Sequence, residues 1–219
     1  GTESTLCRLV SDVDAIMTCW AQVTEAVVRA AKKCRHIARM GIGLDNIAVS
    51  AATERGIRVT NVPDYCVEEV ADHTMALLLA CARKVAFFHQ HTKAGEYRLQ
   101  SGAPLRRLRG SVLGIVGMGR IARAVAERAR AFGFEIIAWT RFGNDHGSGV
   151  RMVELPELLR RSEFLSLNVP LTPETHHLLN HDSLALLKPT AFVINTSRGG
   201  LIDHAALLDA LQSNRLAGA

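Results

Sequence analysis

The chain has 219 residues, 48% of them hydrophobic and 21% charged, with a formal net charge of +5. It is long enough for one large domain or two small ones, and no apolar run approaches the roughly 20 residues of a membrane span. The excess of arginine does not form a nucleic-acid face: Arg123, Arg128 and Arg130 stand at helical spacing opposite Ile121, Val125, Ala129 and Phe132, the pattern of a solvated amphipathic helix.

The first half alternates strand and helix signals. Residues 15–18 read as a short strand, and Thr24 can cap a helix through Val27, Val28 and Ala31. A second strand over 36–40 runs into Gly41-Ile42-Gly43-Leu44-Asp45-Asn46, a glycine turn at a strand's carboxyl end, where open parallel sheets hold ligands. Residues 47–54 look helical, Gly56 stops them, and 57–62 form a third strand ended by Pro63. This rhythm indicates a parallel α/β unit. From about Asp64 a long helix is expected to run to about His91, with Val70, Leu77, Leu78, Cys81 and Val85 at helical spacing. The stretch 92–109, with Gly95, Gly102 and Pro104, lacks a period and reads as a connection. The expected division is therefore a first domain over 1–91, a connection over 92–110 and a second domain over 111–219.

In the second half an apolar strand over 112–116 meets Gly117-Met118-Gly119-Arg120-Ile121-Ala122, and a helical pattern follows to Phe132. This is a G-x-G-x-x-A turn between strand and helix, the context in which the motif cradles a pyrophosphate at a helix N-terminus. Further strands are expected over 135–139, 164–169 and 191–195. Helices are expected over 155–159, 183–187 and 205–211, the last capped by Asp203. The half reads as a Rossmann-type doubly wound parallel sheet.

Candidate chemistry lies at the strand ends. The second strand of this unit ends at Trp139-Thr140-Arg141, with no acid where a ribose hydroxyl would be read; that favours NADP over NAD, although Asp145 stands within reach in sequence. Asn195-Thr196-Ser197-Arg198-Gly199-Gly200 follows a buried strand, and Arg198 fits either a carboxylate-binding role or a loop-tying one. Gly41-Ile42-Gly43 fits either a backbone nest for a carboxylate or a plain turn. His73 reads as helix surface, and His176, His177 and His181 as loop histidines without the carboxylate or thiolate partners of a metal site. Cys7, Cys19, Cys34, Cys66 and Cys81 are scattered without a C-x-x-C spacing, and Gly1-Thr2-Glu3-Ser4 lacks a signal-peptide layout; both fit free thiols in the cytoplasm.

Seven motifs in order then resemble one family, the D-isomer-specific 2-hydroxyacid dehydrogenases. They are Arg39-Met40-Gly41-Ile42-Gly43-Leu44-Asp45-Asn46-Ile47, Arg55 through Pro63, Val70-Ala71-Asp72, Gly117 through Ala122, Asn168-Val169-Pro170-Leu171-Thr172, Glu174-Thr175, and Asn195 through Asp203. The resemblance implies a partial flavodoxin-like α/β substrate domain ahead of the coenzyme domain. It also implies hydride transfer between NAD or NADP and a small 2-keto or D-2-hydroxy acid, and a homodimer formed through the coenzyme domain. It assigns Gly117, Gly119, Arg120 and Ile121 to the pyrophosphate, Val169 and Pro170 to the adenosine side, and Thr196 to the nicotinamide; Thr175, and Thr140 and Arg141 from the strand end, are the further cofactor-binding candidates. Arg198 matches the catalytic arginine, and Ile42 and Gly43 match the loop that grips the substrate carboxylate. The family's proton-transferring histidine and its glutamate partner match positions outside these residues, which implies a piece of a longer enzyme. The stretch Val62-Pro63-Asp64-Tyr65-Cys66-Val67-Glu68-Glu69 is also similar to the corepressor branch of the family. A dinucleotide-sensing binding protein, or an inactive coenzyme-binding fragment, is thus the alternative.

Overall fold

The computed structural model describes residues 2–102 and 105–219; Gly1 and Pro104, used above, lie outside the described residues. The chain forms two compact units, residues 1–65 and 66–219.

The first unit carries a three-stranded parallel sheet in the order β1-β2-β3, formed by β1 (Ala15–Thr18), β2 (His36–Arg39) and β3 (Arg58–Thr60). Helices α1 (Glu3–Leu9), α2 (Glu25–Ala30) and α3 (Val49–Glu54) accompany it. Thr24 caps α2 as expected, its hydroxyl accepting from the Val27 amide. Val27, Val28, Ala31, Ile37, Ala52 and Ile57 form the centre of the core. No reading of the sequence marked α1, and the reason is physical: the helix is seven residues long with none fully buried, and of its apolar residues only Leu6 and Cys7 pack half-buried on the core, too few to show a helical period.

The second unit begins with α4 (Val67–Arg83) and α5 (Val85–Lys93). The expected single helix is broken at Lys84, which adopts the left-handed conformation (φ 52°, ψ 39°). A non-glycine residue there leaves no mark in the hydrophobic pattern. The face that α4 buries is Ala71, Thr74, Met75, Leu78 and Ala82, whereas Leu77 and Val85 are exposed. Ala71, Met75, Leu78 and Ala82 of that face share one core cluster with Ala122, Val125, Ala126 and Ala129 of α6 (Arg120–Ala131). Arg128, expected on a solvated face, clamps the pair instead: Nε donates to Asp72 and Nη2 to Glu68, each at 2.6 Å. This packing groups α4 and α5 with the second unit, so the boundary falls after Tyr65 and not near residue 91.

The sheet of this unit is parallel throughout, in the order β6-β5-β4-β7-β8. Its strands are β4 (Val112–Val116), β5 (Glu135–Trp139), β6 (Arg151–Met152), β7 (Phe164–Leu167) and β8 (Phe192–Asn195). Chain order within the unit thus reads 3-2-1-4-5 across the sheet, the doubly wound arrangement whose switch point lies between β4 and β7. Helices α7 (Leu155–Arg161), α8 (His181–Ala185) and α9 (His204–Gln212) complete it, with Asp203 capping α9 as expected. All four β7 residues are buried, as a strand covered on both faces requires. Register places Trp139, Val116, Leu167 and Asn195 in one row. The residues after them, Thr140, Gly117, Asn168 and Thr196, therefore leave the sheet at one carboxyl edge.

The opposite edge is tied by Glu163. Its Oε2 accepts from the Val112 amide at 3.0 Å, and its Oε1 lies 3.5 Å from Lys188 Nζ. Burial opposes ionisation, but the Val112 amide and Lys188 outweigh it and hold the carboxyl below its ordinary value. A lowered native pKa contributes stability that is full above the unfolded value and is lost as pH falls through the native one. Glu163→Gln is expected to lower the urea midpoint at neutral pH, with the difference from the parent shrinking as pH falls below about 4.5. Urea titrations across pH check this; a difference that persists unchanged in acid contradicts it.

Candidate functional site

The turn after β4 is set by one close approach. Gly117 has φ +94°, and a Cβ there would lie 2.5 Å from the Asn168 carbonyl oxygen and 2.9 Å from Val169 Cγ1. Its amide donates to the Trp139 carbonyl at 2.8 Å, so the turn is held between the ends of β5 and β7. Met118 is buried beneath it. Gly119 differs: it has ordinary extended backbone as the N-cap of α6, and a Cβ there would meet nothing within 4 Å. No side chain caps α6. The first-turn amides of a helix have no intrahelical acceptor and carry positive dipole character. An open face, bare backbone and an uncapped N-terminus suit a pyrophosphate, which a β-carbon at 119 would crowd. Beside the turn, Asn168 Oδ1 is buried without a hydrogen-bond partner, an acceptor whose burial costs on the order of 1–3 kcal/mol until something donates to it.

At the end of β5 lies a cavity of about 450 Å³ lined by Thr140, Arg141, Phe142, Gly143, Val153 and Glu154 among others. The Arg141 guanidinium lies 5.6 Å from the Phe142 ring centroid. Asp145, the acid within sequence reach of a ribose, is committed to its own loop, accepting from the Gly147 amide at 3.1 Å and the Gly149 amide at 3.0 Å. Those two backbone bonds hold its carboxyl below the usual carboxylate range. The Glu174 carboxyl is likewise lowered, by the Thr172 hydroxyl first and in smaller part by the charge of Arg141. The Thr175 hydroxyl closes the same loop, donating to the Pro170 carbonyl at 2.7 Å and accepting from the Thr172 amide at 2.8 Å. Thr175 thus shapes the path over Val169 and Pro170 through the loop's own bonds.

The segment after β8 is braced on several sides. Asn195 Nδ2 donates to the Arg198 carbonyl at 2.9 Å while its Oδ1 accepts from the Ser197 amide at 3.0 Å. Ser197 Oγ donates to the Leu167 carbonyl at 2.9 Å, and the Thr196 and Thr74 hydroxyls lie 2.8 Å apart. Arg198 is half-buried, with Nη1 donating to the Ser197 carbonyl at 3.0 Å. A guanidinium on so constrained a backbone presents its donors in a fixed direction. Sequence reasoning missed Asn195 and Thr74 as supports, because their partners are set by tertiary packing.

In the first unit the loop at Gly41 lies at the carboxyl end of β2. Arg39 is only 7% exposed; it donates from Nε to Asn46 Oδ1 at 3.1 Å and from Nη1 to the Met40 carbonyl at 2.8 Å. A Cβ on Gly41 would lie 2.6 Å from Arg39 Nη1, so the missing side chain makes room for the guanidinium. The carbonyls of Gly41 and Ile42 are occupied by the Val62 amide and the Asn61 side chain. The loop therefore has a buried cation behind it and its carbonyls turned to internal donors, an arrangement that favours an anion at its amides. Arg39 appeared in the sequence only as a motif letter; a buried arginine in a strand was the signal to follow.

His73 is exposed on α4, and the His176 and His177 rings stack at 3.8 Å. Among the described residues no group of three histidine, cysteine or acidic side chains is placed to hold a metal ion, and no helix is long and apolar enough to cross a membrane.

The contrast between the two glycines yields a prediction. Gly119→Ala is expected to keep the unfolding free energy within about 1 kcal/mol of the parent, the cost of alanine at an N-cap, while removing dinucleotide affinity. Gly117→Ala is expected to destabilise the fold itself, through positive φ and the Asn168 carbonyl. Denaturation and binding titrations on both variants check this; undiminished binding by Gly119→Ala contradicts it.

A family model described as D-isomer specific 2-hydroxyacid dehydrogenase, NAD binding domain, matches residues 75–219. Glyoxylate reductase of Thermococcus litoralis is 40% identical over 224 residues, which cover 98% of this chain and 68% of that protein. The structure of D-lactate dehydrogenase from Aquifex aeolicus, complexed with NAD and lactic acid, superposes with a TM-score of 0.91 at 30% identity, covering 97% of this chain and 65% of that one. An acyclic imino acid reductase in complex with NADPH and D-Arg superposes with a TM-score of 0.93 at 29% identity, covering all of this chain and 71% of that one. On the matched domain and the length shared with these relatives, the chain belongs to the D-isomer specific 2-hydroxyacid dehydrogenase family, a family of NAD-binding oxidoreductases.

Proposed function

We propose that this chain holds NADP or NAD across the carboxyl edge of its five-stranded sheet, with NADP preferred, and serves hydride transfer to or from a small 2-keto or D-2-hydroxy acid. The observation that carries this is the uncapped start of α6 beside the open face of Gly119, at the switch point of a doubly wound sheet. Gly117 sets the turn, and the backbone of Gly119, Arg120 and Ile121 holds the pyrophosphate. Thr140 and Arg141 receive the adenosine ribose or its 2′-phosphate, Val169 and Pro170 line the adenosine path with Thr175 shaping it, and Thr196 stands at the nicotinamide.

When bound, the nicotinamide supplies or accepts the hydride. Arg198 orients the substrate carboxylate and polarises the carbonyl through its fork of donors, which stabilises charge growing on that oxygen. The amides of Ile42 and Gly43 are assigned to the substrate carboxylate, with Arg39 supporting the loop. Proton transfer is assigned to a histidine paired with a glutamate outside these residues. We further assign a homodimer formed through the second unit, and a cytoplasmic setting that suits five free thiols. The relatives named above are reductases and dehydrogenases, which favours the enzyme over a dinucleotide-sensing corepressor or an inactive fragment.

Three outcomes are expected. Arg141→Ala should weaken NADPH about tenfold, as loss of a charge-assisted contact does, and leave NADH nearly unchanged. Equal effects on the two coenzymes, read by fluorescence titration, contradict the assignment of Arg141. The full protein should consume reduced nicotinamide with glyoxylate, hydroxypyruvate or phosphohydroxypyruvate. Arg198→Gln should lower kcat/KM at least about a hundredfold while leaving coenzyme affinity intact. No turnover with any of these acids counts against the activity.

A further inference from the structure

Thr74 has no exposed surface and lies in the middle of α4, yet it keeps a hydroxyl where the neighbouring face carries alanine, leucine and methionine. Its Oγ1 is 2.8 Å from the Val70 carbonyl oxygen, one turn back, and 2.8 Å from Thr196 Oγ1. A hydroxyl has one proton to give. The Val70 carbonyl can only accept, and two oxygens at 2.8 Å with no proton between them repel. The Thr74 proton therefore points at Val70, and the contact with Thr196 is made by the proton of Thr196. Thr196 has then donated the only proton it has. Whatever else meets its oxygen meets lone pairs alone.

The other polar side chains on this strand end are already engaged: Asn195 with Arg198 and Ser197, and Ser197 with Leu167. Thr196 itself is half-buried at the end of β8. We propose, on the coenzyme reading above, that Thr74 is a positioning residue that fixes the Thr196 hydroxyl as an acceptor for the N–H of the nicotinamide carboxamide. A freely rotating hydroxyl serves either end of an amide, whereas one with its proton withdrawn serves only the NH₂ end. Thr74 thereby selects one orientation of the carboxamide from beneath the site, without touching the coenzyme.

The test compares NADH with reduced 3-acetylpyridine adenine dinucleotide, which keeps the carbonyl and replaces NH₂ by methyl. Binding is read by titration calorimetry on the full protein, with no substrate present. The parent is expected to prefer NADH about tenfold, the upper range for one hydrogen bond. Thr74→Val, which keeps shape and removes the acceptor, frees the Thr196 proton to serve a carbonyl and should reduce the preference to about twofold or less. Thr74→Ser should restore it. A merely structural role would weaken both dinucleotides alike and leave their ratio unchanged. Should Thr74→Val fail to fold, Thr196→Val, which leaves the Thr74–Val70 bond in place, should abolish the preference by itself. A parent ratio retained in the valine variant that folds overturns the proposal while leaving the coenzyme site standing. Failure of the parent to bind either dinucleotide, and NADPH as well, overturns both.

Discussion

The second unit depends on the passage of the Gly117 backbone within a side chain's reach of the Asn168 carbonyl. With φ at +94° and no room for a β-carbon, the chain must turn there, and the turn delivers the start of α6 to the carboxyl edge of the sheet. Two adjacent parallel strands, β4 and β7, end in register so that this contact can form. Steric exclusion at one glycine thus creates the opening at the next, where the absence of a side chain serves no internal packing need. A glycine that the protein does not require for itself is informative about what it faces.

The same edge is supported from behind. α4 packs its buried apolar face on α6, the Arg128 clamp fixes the two helices together, and Thr74 reaches from that buried face to the end of β8. The helix that carries the pyrophosphate site and the strand end that carries Thr196 are therefore referred to a common support. The Arg128 pairs are partly exposed and contribute on the order of 1 kcal/mol at most, so apolar burial between the helices is the larger effect. In the first unit Arg39 plays a comparable supporting part behind the loop at Gly41.

Much of this was legible in the sequence, for identifiable reasons. Buried parallel strands read as unbroken apolar runs, and the glycine turn after β4 stands out because positive φ restricts residue choice. The Thr24 and Asp203 caps are local and were visible. Features without a local signature were not. The helix α1 is seven residues long with none fully buried, β6 is two residues long, and the break at Lys84 uses a left-handed residue that is not glycine. Arg128 looked like surface because its partners stand 56 and 60 residues away in the chain. Asp145 looked available to a ribose until the structure put both of its oxygens on its own loop. Thr74 and Asn195 are supports whose roles exist only once the elements have docked.

The most direct test of the central claim is a titration of the backbone amide resonances with NADPH. Shifts concentrated at Gly119, Arg120 and Ile121, with the amides of Gly117 and Asn168 following, are the result this account predicts. Saturable binding that leaves the first turn of α6 unmoved would contradict it.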